Sequence, residues 1–188
     1  MPVSAHPLDG VASRPIQHIG YVVDDIEAAV QRWVSTFGAG PFFWIVKETS
    51  VPDARYYGEP CVLEHSAVIG AWGDTFVELT ELHEVSPVGL RDALVGSATD
   101  DRHLNHICYA VEDPEQEVAR LEALGLQRFW HASMGPLDVS YCDGRSSFGH
   151  AIEIHKRGPE FIALFDAIAA AAKHWDGDDP LRELQPPH

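Results

Sequence analysis

The feature that most constrains this sequence is an internal repeat. Residues 18–44, HIGYVVDDIEAAVQRWVSTFGAGPFFW, resemble residues 106–130, HICYAVEDPEQEVARLEALGLQRFW. His18 and His106 lie 88 residues apart, and most matching positions keep this offset until two residues drop out near the end. Each copy reads as a strand, an acidic helix start, a helix and another strand. A chain that repeats one supersecondary unit in this way is predicted to fold as two similar modules.

Capping residues predict one helix in each copy. Asp24 is placed to cap a helix over residues 25–37, and Gly38 suits the left-handed residue that ends it. In the second copy Asp113 caps and Gly125 ends the helix. Three strand-like segments follow each helix, at about 42–48, 61–70 and 74–80, and at about 126–132, 136–142 and 150–156. Each copy is therefore a βαβββ unit.

The predicted fold class is α+β, with two βαβββ modules and a C-terminal helix. A short helix is predicted over residues 87–95 and a longer, alanine-rich one over 159–173, followed by an extended or loose tail over 176–188. The predicted segments are an N-terminal extension (1–15), the first module (16–82), a linker with a short helix (83–104), the second module (105–157), and the C-terminal helix and tail (158–188).

Composition narrows the functional classes. The formal net charge is −16, and no basic stripe relieves it, so nucleic-acid binding is not expected. No apolar run is long enough to cross a membrane, and the N-terminus lacks the apolar stretch of a signal peptide, which predicts a cytoplasmic protein without a membrane partner. Three widely spaced cysteines suggest neither a disulfide framework nor a zinc knuckle.

Strand parity places four polar residues opposite apolar faces. Side chains alternate across a strand, so His18 opposes Ile19 and Tyr21, and the other three positions follow the same pattern. The four residues are His18, Glu78, His106 and Glu153. Two buried carboxylates beside two imidazoles would need a cation between them, and this set of ligands suits a divalent metal ion. Taken singly, each residue is equally compatible with a wet groove.

The chain resembles the vicinal-oxygen-chelate superfamily, which includes glyoxalase I, methylmalonyl-CoA epimerase, extradiol dioxygenases and bleomycin-resistance proteins. The resemblance covers about residues 16–156, and four motifs carry it: HIGYVV at 18–23, FVELTEL at 76–82, LNHICYAVED at 104–113 and HAIEIHK at 150–156. It implies that the two modules curl into a cup-shaped incomplete barrel. It also implies one divalent metal ion (Zn, Ni, Co, Mn or Fe) bound by His18, Glu78, His106 and Glu153.

The resemblance implies an enzyme that stabilises an enolate-type intermediate on a carbonyl substrate. We expect a metal-dependent isomerase, epimerase or lyase in which Glu153 and Glu78 transfer the proton. The arginine and asparagine pattern that binds glutathione in glyoxalase I is missing, and the second acid/base of the epimerases has no secure counterpart at Glu59 or Glu64. The alternatives are an extradiol-type dioxygenase that uses iron, and a non-catalytic drug-binding resistance protein.

The small-molecule substrate is expected to have a bulky apolar part, because many aromatic residues fall near the predicted cup. The expected substrate contacts are Tyr141, His65, His131, Arg145, Trp44 and Trp72. His155 shares the parity of Glu153 and belongs near the same face. A homodimer is also expected, and the C-terminal helix is predicted to be either its contact surface or a lid over the sheet.

Overall fold

A computed structural model describes residues 13–95, 103–134 and 137–184. The helices are α1 (Ile26–Phe37), α2 (Val88–Val95), α3 (Pro114–Ala123), α4 (Arg145–Phe148) and α5 (Pro159–Ala172). The strands are β1 (His18–Val22), β2 (Phe42–Ser50), β3 (Arg55–Tyr56), β4 (Glu59–Pro60), β5 (Val62–Trp72), β6 (Thr75–Ser86), β7 (His103–Val111), β8 (Arg128–Met134), β9 (Leu137–Cys142), β10 (Ala151–Lys156) and β11 (Leu181–Glu183). No described helix is long and apolar enough to cross a bilayer.

All described strands form one open sheet in the order β11-β2-β5-β6-β1-β7-β10-β9-β8-β3-β4. In both repeats the first strand lies parallel to the last, β1 beside β6 and β7 beside β10. The repeats meet where β1 pairs antiparallel with β7. The predicted α+β fold with two βαβββ units and an unclosed barrel is confirmed, and the junction between the repeats brings their first strands together at the centre.

Helices α1 and α3 cover the outer face of the sheet. Ile26 and Val30 of α1 pack with Val77 and Leu79 of β6, and all four are buried. The second repeat has an equivalent cluster between α3, β7 and β10. Because these apolar side chains take one face of each strand, the alternate side chains project to the inner face of the cup.

Helix α5 lies on the inner face, where the sequence alone left its position open. Phe161, Phe165 and Ile168 form a buried cluster with Ile69 and Ala71 of β5. The lid interpretation of this helix therefore matches its position. The tail, predicted to be extended or loose, contains β11, which joins the sheet in parallel with β2.

A short hairpin, β3–β4, links the two repeats at the far edge of the sheet. It belongs to the first repeat, yet Arg55 pairs with His131 and Tyr56 with Trp130 of β8 in the second repeat. These two strands could not be predicted from periodicity, since two residues are too few to show alternation.

Other differences from the sequence prediction are local. Asp25, not Asp24, caps α1: its side chain accepts a hydrogen bond from the backbone N–H of Ala28. Helix α4 lies between the last two predicted strands of the second copy, where no helix was predicted. Most of the predicted N-terminal extension, residues 96–102 of the predicted linker, and residues 135–136 and 185–188 lie outside the described part of the chain.

Candidate metal centre

Four adjacent central strands carry the predicted ligands. Along one row of the sheet His18 pairs with Cys108, and Cys108 pairs with Glu153. Along the neighbouring row Gly20 pairs with both Glu78 and His106. Each ligand-type residue thus has a small residue beside it, which leaves room for the imidazoles and carboxylates to converge above the sheet.

The four side chains meet at one point. One ligand atom from each lies within 4.8 Å of the others, and all four residues are buried. His18 Nε2 is 3.1 Å from His106 Nε2, 3.0 Å from Glu78 Oε2 and 2.8 Å from Glu153 Oε2. His106 Nε2 is 3.2 Å from Glu153 Oε2 and 3.8 Å from Glu78 Oε2.

These spacings fit a single divalent ion. Two atoms that each lie about 2.1 Å from one ion are separated by roughly 3.0 to 3.4 Å at octahedral or tetrahedral angles. The buried Glu153 Oε2 atom accepts no hydrogen bond of good geometry in the described structure, although it lies close to both imidazoles. A buried carboxylate oxygen in that state is suited to bind a cation. The residues present therefore fit the metal that the sequence predicts.

The electrostatics of the site favour a cation at the same point. Burial raises the pKa of Glu78 and of Glu153, but the histidines around them outweigh it, so the pKa of Glu78 is lowered and that of Glu153 lies well below its ordinary value. Burial lowers the pKa of His18, but Cys108 and the two carboxylates raise it well above its ordinary value. Both carboxylates are thus held ionised, and an ion with two positive charges would balance them.

Asn105 fixes the orientation of His106. A bulge in β7 leaves Asn105 without a partner opposite Gly20 and Tyr21, so its side chain reaches the same side as that of His106. The Asn105 amide nitrogen donates to the carbonyl of Leu94, which leaves its Oδ1 atom 2.7 Å from His106 Nδ1 as an acceptor. The proton of His106 is therefore on Nδ1, and its Nε2 lone pair points to the other ligands.

The two carboxylates are held to different degrees. Glu153 Oε1 lies 3.3 Å from His155 Nε2, while Glu78 Oε1 accepts a hydrogen bond from the Thr80 hydroxyl at 3.0 Å. Cys108 lies near Glu153 and His155 as well, but burial raises the pKa of its thiol far above the ordinary value. Cys108 therefore stays protonated and acts as a small neighbour rather than a ligand.

Gly20 is required by the position of His106. A Cβ atom at Gly20 would lie 2.0 Å from Cε1 and 2.3 Å from Nε2 of the His106 ring. The imidazole thus rests directly on the Gly20 backbone, and any side chain there would displace it.

A cavity of about 150 Å³ opens beside the four residues. Most of its lining is apolar, and it extends from the ligands along β5 and β6 under helix α5. The residues that line it are His18, Val22, Ile45, Val46, Val51, Leu63, His65, Ala67, Ile69, Glu78, Thr80, Leu82, Leu94, Asn105, Trp130, Val139, Tyr141, Glu153, His155, Phe161, Leu164 and Phe165.

Two of the six predicted substrate contacts line this cavity. The Tyr141 hydroxyl lies 3.4 Å from His106 Nδ1, and burial raises the pKa of Tyr141 well above its ordinary value. His65 lies on β5, and burial lowers its pKa, so its imidazole is neutral at physiological pH.

The prediction for Trp44 and Trp72 is corrected by strand parity. Phe43 and Ile45 of β2 face α5, so Trp44 between them faces outward, where Lys47 lies over its ring. Trp72 also faces outward and packs edge-on against Trp33 of α1. Neither indole lines the cavity, and both belong to the cluster that packs around α1.

His131 and Arg145 are also placed away from the cavity. Trp130 takes the inward position on β8, so His131 turns to the opposite face and pairs with Arg55 of the hairpin. Arg145 forms a two-pronged ion pair with Asp143 and lies over the Phe129 ring. The expectation that these two residues contact substrate in the cup therefore has no support in their positions.

Sequence reasoning missed Asn105, Thr80 and the α5 aromatics. Phe165 stacks on the His18 ring with centroids 5.9 Å apart, and Phe161 lies 5.2 Å from the ring of His155. Thr80 could have been found from the parity it shares with Glu78. Asn105 could not, because only the bulge brings it to that face.

The family of this chain is shown by a match between its sequence and a protein-family model. Residues 17–142 match the model of the glyoxalase/bleomycin resistance protein/dioxygenase superfamily. The chain belongs to this superfamily. Members of this glyoxalase superfamily include metal-dependent epimerases and glyoxalases, whereas other members are not catalytic. No curated protein matches the sequence significantly.

Solved structures of distant sequence share the fold. A hypothetical protein from Bacillus halodurans superimposes with a TM-score of 0.52 at 16% identity, covering 78% of this chain and 96% of its own. Methylmalonyl-CoA epimerase from Mycobacterium tuberculosis gives 0.51 at 12% identity, covering 84% and 99% respectively. At these identities the likeness concerns architecture alone.

Proposed function

We propose that this member of the glyoxalase superfamily is a divalent-metal-dependent isomerase, epimerase or lyase that removes a proton next to a carbonyl group. The observation that carries the proposal is the convergence of His18, Glu78, His106 and Glu153 within 4.8 Å at one end of an apolar cavity. A divalent ion bound there would supply a Lewis acid for negative charge that develops on the substrate oxygen.

The proton would be taken by a carboxylate of the site, and the geometry favours Glu78 over Glu153. Glu153 lies close to three histidines, whereas Glu78 lies close to two and accepts a hydrogen bond from the Thr80 hydroxyl. Glu78 is also the more accessible of the two from the cavity, at 8% exposure against 4%. We assign Glu78 as the primary proton acceptor and Glu153 as the firmer ligand, which can return a proton to the substrate.

Elemental analysis tests the metal site. Purified protein is expected to contain, or to take up after chelation, one Zn, Ni, Co, Mn or Fe ion per chain. His18→Ala should lose this ion, while His174→Ala, which alters an exposed histidine, should keep it. Failure of the wild-type protein to bind any of these metals would refute the proposal.

Proton exchange tests the chemistry without knowledge of the natural substrate. 2-Hydroxyacetophenone has neighbouring carbonyl and hydroxyl oxygens, and its CH₂ protons exchange with D₂O through an enolate. The metal-loaded protein should accelerate this exchange, as followed by NMR. Glu78→Gln with metal retained should lower the rate by about 100-fold or more, the usual contribution of a positioned base.

A matched carboxylate on the same strand provides the control. Glu84 of β6 is exposed, and Glu84→Gln should exchange protons at the wild-type rate. Glu153→Gln should lower metal affinity as well as the rate. Equal rates in wild type, Glu78→Gln and Glu153→Gln would show that neither carboxylate transfers the proton.

Two other functions give different outcomes. An extradiol-type dioxygenase would use His18, His106 and Glu153 on iron, and the iron-loaded protein would consume oxygen with a catechol. Glu78 disfavours this reading, because a fourth protein ligand takes a position that oxygen needs. A drug-binding resistance protein would bind its ligand without a stoichiometric metal. Cytoplasmic location and a homodimer remain predictions from the sequence.

A further inference from the structure

The cavity itself limits what this site can accept. Its floor is formed by His18, Glu78 and Glu153 of the candidate centre. One wall is β5 and β6, and its roof is the α5 face that carries Phe161, Leu164 and Phe165. Helix α5 begins at Pro159, beyond the last residue that matches the superfamily model, residue 142. The roof of the cavity is therefore supplied by a segment outside the matched part of the chain.

The cavity has no countercharge for an anionic group. None of the described residues that line it is a lysine or an arginine. Its two carboxylates would already balance a divalent ion, so a substrate carboxylate or phosphate would carry an uncompensated negative charge into an apolar space. Burial of an unpaired charge costs far more than apolar contacts of this size return.

The size of the cavity points to a compact ligand. An apolar cavity of about 150 Å³ holds a molecule the size of benzene. Leu63, Leu82 and Leu94 line the cavity with aliphatic side chains, and Trp130 and Val139 from the second repeat also line it.

One polar side chain of the lining, that of His65, lies on the same wall as Glu78 but further along the strands. His65 on β5 pairs with Leu82, whereas Ile69 pairs with Glu78. Leu82 and Glu78 are four residues apart on β6, so these two strand pairs lie about 13 Å apart along the strand. The His65 Nδ1 atom is buried without a hydrogen-bond partner in the described structure. The other polar side chains of the lining are metal ligands or contact them, apart from the Trp130 indole, whose nitrogen is also buried without a hydrogen-bond partner in the described structure.

We propose that the site takes a compact, uncharged ring compound or branched aliphatic compound with two neighbouring oxygens for the metal and one hydrogen-bonding group for His65. This inference rests on the proposed function, since the oxygens need the metal. It places acyl-CoA and glutathione conjugates outside the substrate range, because their anionic groups find no cation in the cavity. Helix α5 is then the element that determines specificity.

Binding to the cobalt-substituted protein tests the inference without turnover. Benzohydroxamate and 4-carboxybenzohydroxamate present the same pair of oxygens to the ion and differ only by a carboxylate at the far end of the ring. The change in the cobalt absorption spectrum gives the dissociation constant of each probe. Benzohydroxamate should bind at least tenfold more tightly, and methylmalonyl-CoA should not perturb the spectrum.

Variants of the cavity separate size from charge. Leu164→Ala should admit 2-naphthohydroxamate, which the wild-type protein should bind at least tenfold more weakly than benzohydroxamate. A 4-hydroxybenzohydroxamate probe should bind wild type more tightly than His65→Leu, while unsubstituted benzohydroxamate should not distinguish the two. Circular dichroism confirms that both variants are folded.

The outcomes distinguish this inference from the proposed function. If cobalt does not bind, the proposed function fails first. If cobalt binds and 4-carboxybenzohydroxamate or methylmalonyl-CoA binds as tightly as benzohydroxamate, the metal site stands and the neutral substrate class is wrong. If His65→Leu leaves the affinity for the 4-hydroxy probe unchanged, His65 does not contact the ligand.

Discussion

Among individual residues, the small and polar neighbours of the proposed metal centre matter as much as its four proposed ligands. Gly20 and Cys108 occupy the sheet positions between the ligand-type residues, Ala151 lies beside His106, and all three leave space above the backbone. Asn105 and Thr80 then fix the ring of His106 and the carboxylate of Glu78. Such supporting residues hold the ligand atoms in the geometry that the ion requires.

Gly20→Ala is expected to weaken metal binding without unfolding the protein. The added methyl group would occupy the place of the His106 ring, with a separation of 2.0 Å from Cε1. We predict a 10- to 100-fold loss of affinity, measured by competition with a chromophoric chelator. Gly158→Ala is the control, because its nearest neighbour would be Glu160 Oε2 at 3.5 Å. Unchanged affinity in Gly20→Ala would mean that His106 is not a ligand.

Asn105→Ala removes the acceptor that holds the His106 Nδ1 proton. The imidazole could then rotate or change tautomer, so metal affinity should fall by about 10- to 100-fold. Asn105→Asp retains an acceptor at the same place and should recover part of the loss. Titration of zinc into the apoprotein of each variant gives the comparison, and equal affinities for Asn105→Ala and wild type would exclude this role.

At the scale of elements, α3 is anchored by one buried carboxylate. Glu117 accepts hydrogen bonds from Arg14, Arg120 and the hydroxyl of Tyr109, and its side chain is 6% exposed. Burial alone would raise the pKa of Glu117, but these three donors lower it to about 2. The ionised carboxylate therefore holds α3 to β7 and to the segment before β1.

Glu117→Gln should lower stability in a pH-dependent way. A folded pKa below the unfolded value of 4.5 means that the carboxylate stabilises the fold above pH 4.5 and that this is lost as the pH falls toward 2. We expect a loss on the order of 1 to 2 kcal/mol at pH 7, since solvent around Arg120 weakens the pair. Urea unfolding at several pH values should show the difference narrowing below pH 4.5. Glu27→Gln, on the exposed face of α1, should show no such trend.

Helix α5 contributes to stability through its inner face. Ile168 is completely buried between α5 and β5, so Ile168→Ala should cost about 2 to 4 kcal/mol. Ile162 of the same helix is 40% exposed, and Ile162→Ala should cost less than about 1 kcal/mol. The two urea midpoints give the comparison. Similar costs would mean that the helix does not rest on the sheet through this face.

At the scale of the whole molecule, one chain supplies a complete site. His18 and Glu78 come from the first repeat, and His106 and Glu153 come from the second. The ion would therefore cross-link two halves that also meet through the antiparallel pair β1–β7 and through the pairing of β3 with β8. Metal binding and the stability of the fold are coupled through this junction.

Metal addition should raise the melting temperature of the chelator-treated protein. Free metal at 100 times its dissociation constant adds about 2.7 kcal/mol, which for a chain of this size corresponds to roughly 5 to 10 °C. His18→Ala should lose the shift, and His174→Ala should retain it. Differential scanning fluorimetry with zinc and with EDTA makes the measurement. A wild-type curve unaffected by any metal would contradict the assignment of the centre.

The amino-acid sequence was sufficient to predict the repeat and the positions of α1, α2, α3 and α5 along the chain. It also predicted the shared inward parity of His18, Glu78, His106 and Glu153. These follow from short-range rules, since caps, strand alternation and the 88-residue offset are visible in the chain. The convergence of the four residues was predicted from the resemblance, and the structure brings them together.

The surroundings of the four residues could not be predicted from the sequence and became apparent only from the packing of the whole chain. The bulge at Asn105, the outward turn of Trp44 and Trp72, and the placement of α5 inside the cup depend on how distant strands and helices pack. No local sequence pattern predicts these features. The apolar face of a helix such as α5 could pack against a second chain, the outer face of the sheet or its inner face, and the positions of the other elements select among them.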